Sequence, residues 1–181
     1  MDRRVKRTRK LIKNAFTELL KEKPLSSITI TELTKRADIN RRTFYLHFSC
    51  IEDIIDDIEK EATTALHEIL SVHTTFDIGT FFTGLTKMME ENMDYYKIIT
   101  KEPAYYRFLL HCKNLLKESL RETFVSKTTL SDDEFNINLE YTASGIIGIY
   151  TDWILSDSKL TLTELTTKAE AAVSKNSQLL L

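Results

Sequence analysis

The stretch of this chain with the most directed chemistry is Asn40-Arg41-Arg42-Thr43-Phe44-Tyr45-Leu46-His47-Phe48. At about 100° per residue around a helix, Phe44 and Phe48 share one side, while Arg42 and Leu46 face the other. Thr43 and Tyr45 fall on the flanks, and Asn40 and Arg41 at the N-terminal tip. These outward types suit a nucleic-acid groove. Arginine forks to a guanine edge or holds a phosphate, Thr, Tyr and His bond phosphate oxygens, and Leu46 can meet a thymine methyl. An ordinary solvated helix face carries the same types, so this face alone leaves both readings open. Other chemistries find little to work with. No Ser/His/Asp set, paired carboxylate or phosphate-cradling Gly loop is legible, and His67, His73 and His111 share no metal-ligand spacing. No catalytic residue, metal or cofactor is expected.

The elements that must hold these residues are equally legible. Thr29 with Glu32 has capping-box spacing and opens a short helix with Leu33 and Ala37 on one face. The chain turns through Asp38-Ile39, and Asn40 is a good N-cap for a second helix running to about Phe48. Ser49 with Glu52 repeats the spacing and starts the next helix at once. Three helix starts within about 24 residues leave room only for a helix-turn-helix. Upstream, a basic start containing Arg3, Arg4, Lys6, Arg7, Arg9 and Lys10 leads into an amphipathic helix whose stripe is Leu11, Ile12, Ala15, Phe16, Leu19 and Leu20. That helix should brace the motif, with Arg3 and Lys6 reaching phosphates; a frayed, solvated terminus is the alternative. The candidate DNA contacts are thus Arg3, Lys6, Thr29, Thr31, Asn40, Arg41, Arg42, Thr43, Tyr45, Leu46 and His47.

Charge separates the chain in the same way. Residues 1–50 carry thirteen Lys and Arg against five Asp and Glu, a net +8; residues 51–181 carry twelve against 22, a net −10. A basic head on an acidic body is the asymmetry of a nucleic-acid reader joined to something that need not touch nucleic acid. Two domains follow, at 1–50 and 51–181. Cys50 and Cys112 lie far apart without a CxxC, so neither a disulfide nor structural zinc is expected. Cys50 sits beside a helix start, where a thiol pKa can fall, so a redox switch and an inert thiol are both open. No run approaches the roughly 20 apolar residues of a membrane span, and a cytoplasmic protein is expected.

With only four Gly and two Pro in 181 residues, the body reads as helices with short connections. A connector helix from Ile51 to about His73 is followed by segments dense in aromatics and methionines up to residue 130, interrupted at Pro103. Such density is ordinary core, or the lining of a site for a small apolar effector. The candidates to line that site are Phe82, Met89, Tyr105, Phe108, Tyr150 and Trp153. Ser131 with Glu134, and Thr161 with Glu164, cap the last two helices. Ser144, Gly145 and Gly148 form a small-residue patch that lets another helix come close, either within one subunit or across a homodimer. The expected dimer interface adds Leu165 and Ala169.

The head resembles the DNA-binding domain of the tetracycline-repressor (TetR) family of bacterial regulators. Matching residues are Thr29, Ile30, Glu32, Leu33, Ala37, Ile39, Thr43, Phe44, Tyr45, His47, Phe48 and Glu52, with Thr43–Phe48 the most specific run. Asp38 stands where the family usually has Gly, and Ile51 where it usually has Lys. Gly145, Gly148 and Trp153, before a short capped last helix, resemble the C-terminal domain of a subgroup that includes regulators related to the dihydroxyacetone-kinase activator. The resemblance implies an all-α fold of about nine helices, with a three-helix N-terminal helix-turn-helix domain and a C-terminal helical bundle for effector binding and dimerisation. It also implies a homodimeric repressor on a palindromic double-stranded operator, released by an effector through a swing of the connector helix. A TetR-like dimer with no small-molecule effector, and a helical interaction module that has lost DNA binding, are the rival readings.

Overall fold

A computed structural model describes residues 3–71, 77–100 and 105–176. Phe76 lies outside these residues, as do His73 and Pro103. The described chain is all-helical: α1 (Arg3–Glu22), a 3-10 turn (Leu25–Ser27), α2 (Ile30–Arg36), α3 (Arg41–Tyr45), α4 (Glu52–Ser71), α5 (Ile78–Glu91), α6 (Met93–Ile99), α7 (Tyr105–Phe124), α8 (Asp132–Leu155) and α9 (Leu162–Asn176). None of the described helices is long and apolar enough to cross a membrane.

The chain forms two compact units, one ending at Glu61 and one beginning at Ala62. The division falls inside α4, later than the 50/51 boundary drawn from charge. The first turns of α4 are spent on the head. Ile54, Ile55 and Ile58 are buried, and Asp57 takes ion pairs from Arg9 and from Lys13 (2.6 Å) on α1. Burial pushes the Asp57 carboxyl up, but Arg9 and Lys13 together hold it below the usual carboxylate range. The rest of the head core comes from Ile12, Phe16 and Leu19 of α1, Leu33 of α2, and Phe44 with Phe48. Leu11, expected in the α1 stripe, is 42 % exposed, because the stripe is narrower than its apolar run.

Two local outcomes differ from expectation. The helix expected to run from Asn40 to about Phe48 ends at Tyr45, and Leu46 and His47 form a turn. Phe48 nevertheless reaches the core, with the Arg9 guanidinium 4.6 Å from its ring centre. The expected Ser49–Glu52 cap is replaced by Asp53, whose carboxylate accepts from the Ser49 (2.6 Å) and Cys50 (3.3 Å) backbone amides.

In the body, α7 packs on α8, and α9 packs on α5 and α8. A chain of hydroxyls ties three of these helices: Thr86 of α5 bonds Thr166 of α9 at 2.7 Å, and Thr166 bonds Tyr150 of α8 at 3.1 Å. Gly84 lies so near α4 that a Cβ there would meet Ile69 side-chain atoms at 2.8 and 2.9 Å. The pattern of α8 is unlike the others. Phe135, Leu139, Ala143, Ile146 and Tyr150 are buried on one side, yet Ile137, Tyr141 and Leu155 stay exposed on the others.

Candidate nucleic-acid interface and a cavity in the helical body

The head's motif is held by local hydrogen bonds that the sequence encodes directly. The Thr29 hydroxyl accepts from the Glu32 amide at 3.3 Å, and the Glu32 carboxylate accepts from the Thr29 amide at 3.2 Å. Lys23 (2.5 Å) and the Thr29 hydroxyl draw the Glu32 carboxyl down to about 2. After α2 the Ile39 amide donates to the Thr34 carbonyl at 3.0 Å and the Asp38 amide to that of Lys35 at 3.3 Å. This is a Schellman ending with Asp38 in the left-handed position at φ 52°. Aspartate tolerates that region better than most residues, but glycine occupies it without a Cβ clash. Asp38→Gly is therefore expected to add about 0.5–1 kcal/mol of stability, read as a higher urea midpoint at unchanged m-value.

The Asn40 carboxamide caps α3, accepting from the Thr43 amide at 2.7 Å and the Thr43 hydroxyl at 3.0 Å. Among the expected contact residues, Thr29, Asn40 and Thr43 thus commit side-chain polar atoms to shaping the motif. Arg41 donates to the Tyr45 hydroxyl at 3.3 Å, with its guanidinium 6.0 Å from that ring's centre. Leu46 is 75 % exposed, Tyr45 50 %, and Thr31, Arg41 and Arg42 are exposed too. His47 is half-buried, and its carbonyl accepts from Arg9 at 3.4 Å. A polar and apolar fringe therefore surrounds the buried Phe44.

The head's cations divide in two. Arg9, Lys13, Lys23 and Arg36 are ion-paired within the unit. Arg3, Lys6, Arg7, Lys10, Lys35 and Arg42 are exposed and hold no ion pair among the described residues. Lys35 had not been singled out; its place on the exposed side of α2 was the available signal. Arg9, by contrast, is a structural residue clamped between Asp57, Phe48 and the His47 carbonyl. The Cys50 thiol carries no sign of activation. A backbone hydrogen bond at Asp53 lowers it, but burial and the Asp53 and Glu52 carboxylates outweigh that and push it up. The acidic first turn of α4 thus cancels the effect expected of a helix start.

The body holds a partly open cavity of about 60 Å³. Met89, Tyr105, Phe108 and Tyr150 line it, together with Leu66, Leu85, Tyr96, Leu116 and Ile146 among others. Phe82 and Trp153 do not. Phe82 is fully buried and stacks 6.3 Å from Tyr150, and the Trp153 indole donates to the Leu160 carbonyl at 2.9 Å, pinning the α8–α9 turn. Among the described residues no charged side chain lines the cavity.

The small residues of α8 face outward. A Cβ at Gly145 or Gly148 would meet nothing within 4 Å, so neither serves close packing inside the subunit. Ser144 is exposed and donates at 3.0 Å to Glu140, which Lys113 (2.6 Å) and Lys117 (2.7 Å) of α7 also bind; these partners hold the Glu140 carboxyl at about 2. Leu165 and Ala169, expected at an interface, are buried within this chain, because α9 spends its apolar stripe on α5 and α8.

Comparison with known proteins gives two family matches. Residues 12–58 match "Bacterial regulatory proteins, tetR family", and residues 77–175 match "Transcriptional regulator C-terminal region". A regulator from Bacillus subtilis, the uncharacterized HTH-type YxbF, is 33 % identical over 73 residues, 40 % of this chain and only 19 % of that protein. Among solved structures, the dihydroxyacetone kinase operon activator DhaS superposes at TM-score 0.66 with 22 % identity, over 96 % of this chain and 93 % of that one. A TetR transcriptional regulator from Streptococcus agalactiae superposes at 0.61 with 24 % identity, over 95 % and 96 %. At these identities the superpositions speak to the fold.

Proposed function

Because the chain belongs to the TetR family of bacterial transcriptional regulators, non-enzymatic proteins whose helix-turn-helix binds DNA, we propose that it is a homodimeric repressor. In this reading, residues from the head hold a palindromic operator through α2 and α3, and a small apolar effector bound in the body releases it. Arg3 and Lys6 position the head on phosphates, while Arg42, Tyr45 and Leu46 meet the groove. The observation that carries it is the surface of α3 and the turn after it, where exposed Arg42, Tyr45 and Leu46 surround a buried Phe44. A segment that served only the core would not leave Leu46 three-quarters exposed, four residues from an arginine that holds no ion pair among the described residues. The body's role rests on the uncharged cavity and on the outward Gly145–Gly148 face of α8.

One observation favours a second reading, a TetR-like dimer that answers to no small molecule. The cavity's volume of about 60 Å³ is well below the roughly 300–1,000 Å³ of sites that take drug-sized ligands. An electrophoretic shift screen against the DNA upstream of the chain's own gene tests the DNA-binding half. A discrete complex that survives excess random DNA is expected, and binding that random DNA erases would overturn operator recognition. Release of that complex by small apolar compounds separates the two readings.

A further inference from the structure

Resting on the reading of the cavity as an effector site, we infer that the effector is a small, uncharged, mainly apolar molecule with one hydrogen-bond acceptor, such as a carbonyl oxygen, received by the Tyr96 hydroxyl. Tyr96 lines the cavity, its side chain is 3 % exposed, and its hydroxyl has no hydrogen-bond partner among the described residues. Buried hydroxyls in native proteins are nearly always bonded, and one left unmet opposes folding. Tyr105, Phe108 and Cys112 line the same cavity. Phe108 stacks on the Tyr96 ring at 6.5 Å and Tyr95 meets it edge-on at 5.8 Å, so the direction of the hydroxyl is set by packing.

Burial, with help from Tyr105, Cys112 and the Glu91 carboxylate, pushes this phenol far above its ordinary value. It stays protonated at any physiological pH and offers a donor. The rest of the described lining is Leu, Ile, Met, Phe and other residues without charge, so an ionised ligand would find no counter-charge among them, a costly arrangement. The volume of about 60 Å³ admits a ring or chain of only a few heavy atoms without rearrangement.

The test uses the full chain labelled at its methionine methyls, since Met88 and Met89 line the cavity. Cyclopentanone and cyclopentane, alike in size and differing by one acceptor, are titrated into wild type and Tyr96→Phe by NMR, with thermal melts of both proteins free of ligand. Tyr96→Phe is expected to melt at the wild-type temperature or above it. The ratio of ketone to alkane affinity should fall about tenfold in the variant, the worth of one hydrogen bond. A ratio that does not change, with both probes moving the methionine signals, overturns the role of Tyr96 and leaves the cavity reading standing. A lower melting temperature in Tyr96→Phe with an unchanged ratio makes the hydroxyl structural and also overturns it. If neither probe moves the signals in wild type, the effector-site reading falls and the inference with it.

Discussion

Arg42→Ala is expected to weaken operator binding by about 1–3 kcal/mol, roughly 5- to 150-fold, while leaving the fold untouched. The side chain is exposed and makes no ion pair among the described residues, so its removal opens no cavity and leaves no buried charge. Arg42 stands opposite the buried Phe44 on α3, so it is turned away from the head's own core. Binding isotherms on operator and on random DNA, each at several salt concentrations, separate its roles. A loss confined to the operator marks a base contact. An equal loss on both, with the salt slope falling by about one, marks a phosphate contact. Unchanged binding to both would remove α3 from the groove.

Gly148→Leu should have the larger effect, abolishing dimerisation and with it operator affinity by about 10²–10⁴-fold, the advantage of joining two half-site readers. The outward stripe of α8 is apolar and small: Ile137 is 68 % exposed, Tyr141 58 % and Leu155 51 %, with Gly145 and Gly148 between them. A helix apolar on its outer as well as its inner side needs a second partner. The opposite face already packs on α7 and α9, so the proposed partner is the same helix of another copy. Because a Cβ at Gly148 meets nothing within the subunit, the leucine has room there and would clash only across an interface. Light scattering with circular dichroism reads the result. Folded, helical monomers are expected; a folded dimer with full operator affinity would remove α8 from the interface.

Much of the head was legible because its determinants are local. A capping box needs a hydroxyl and a carboxylate three residues apart, and Thr29–Glu32, Ser131–Glu134 and Thr161–Glu164 all form. Burial of Phe44 and Phe48 followed from periodicity alone. The Ser49–Glu52 spacing did not form its box, because Asp53, one residue on, took the same backbone amides. Spacing names the candidates for a cap without ranking them.

What the amino-acid order by itself determined is therefore the helical class, the helix-turn-helix with its exposed arginine face, and the basic head on an acidic body. These depend on periods of a few residues and on summed charge. Only the tertiary structure decided which aromatic does what in the body. Phe82 went wholly into packing against Tyr150, Trp153 to the Leu160 carbonyl, and Tyr96 to the cavity wall. Leu165 and Ala169 turned inward while Gly145 and Gly148 turned out. The physical reason is that an amphipathic pattern says a face is buried, but its partner is chosen by how several helices fill space together. That choice is made between residues far apart in the chain, where local spacing carries no information.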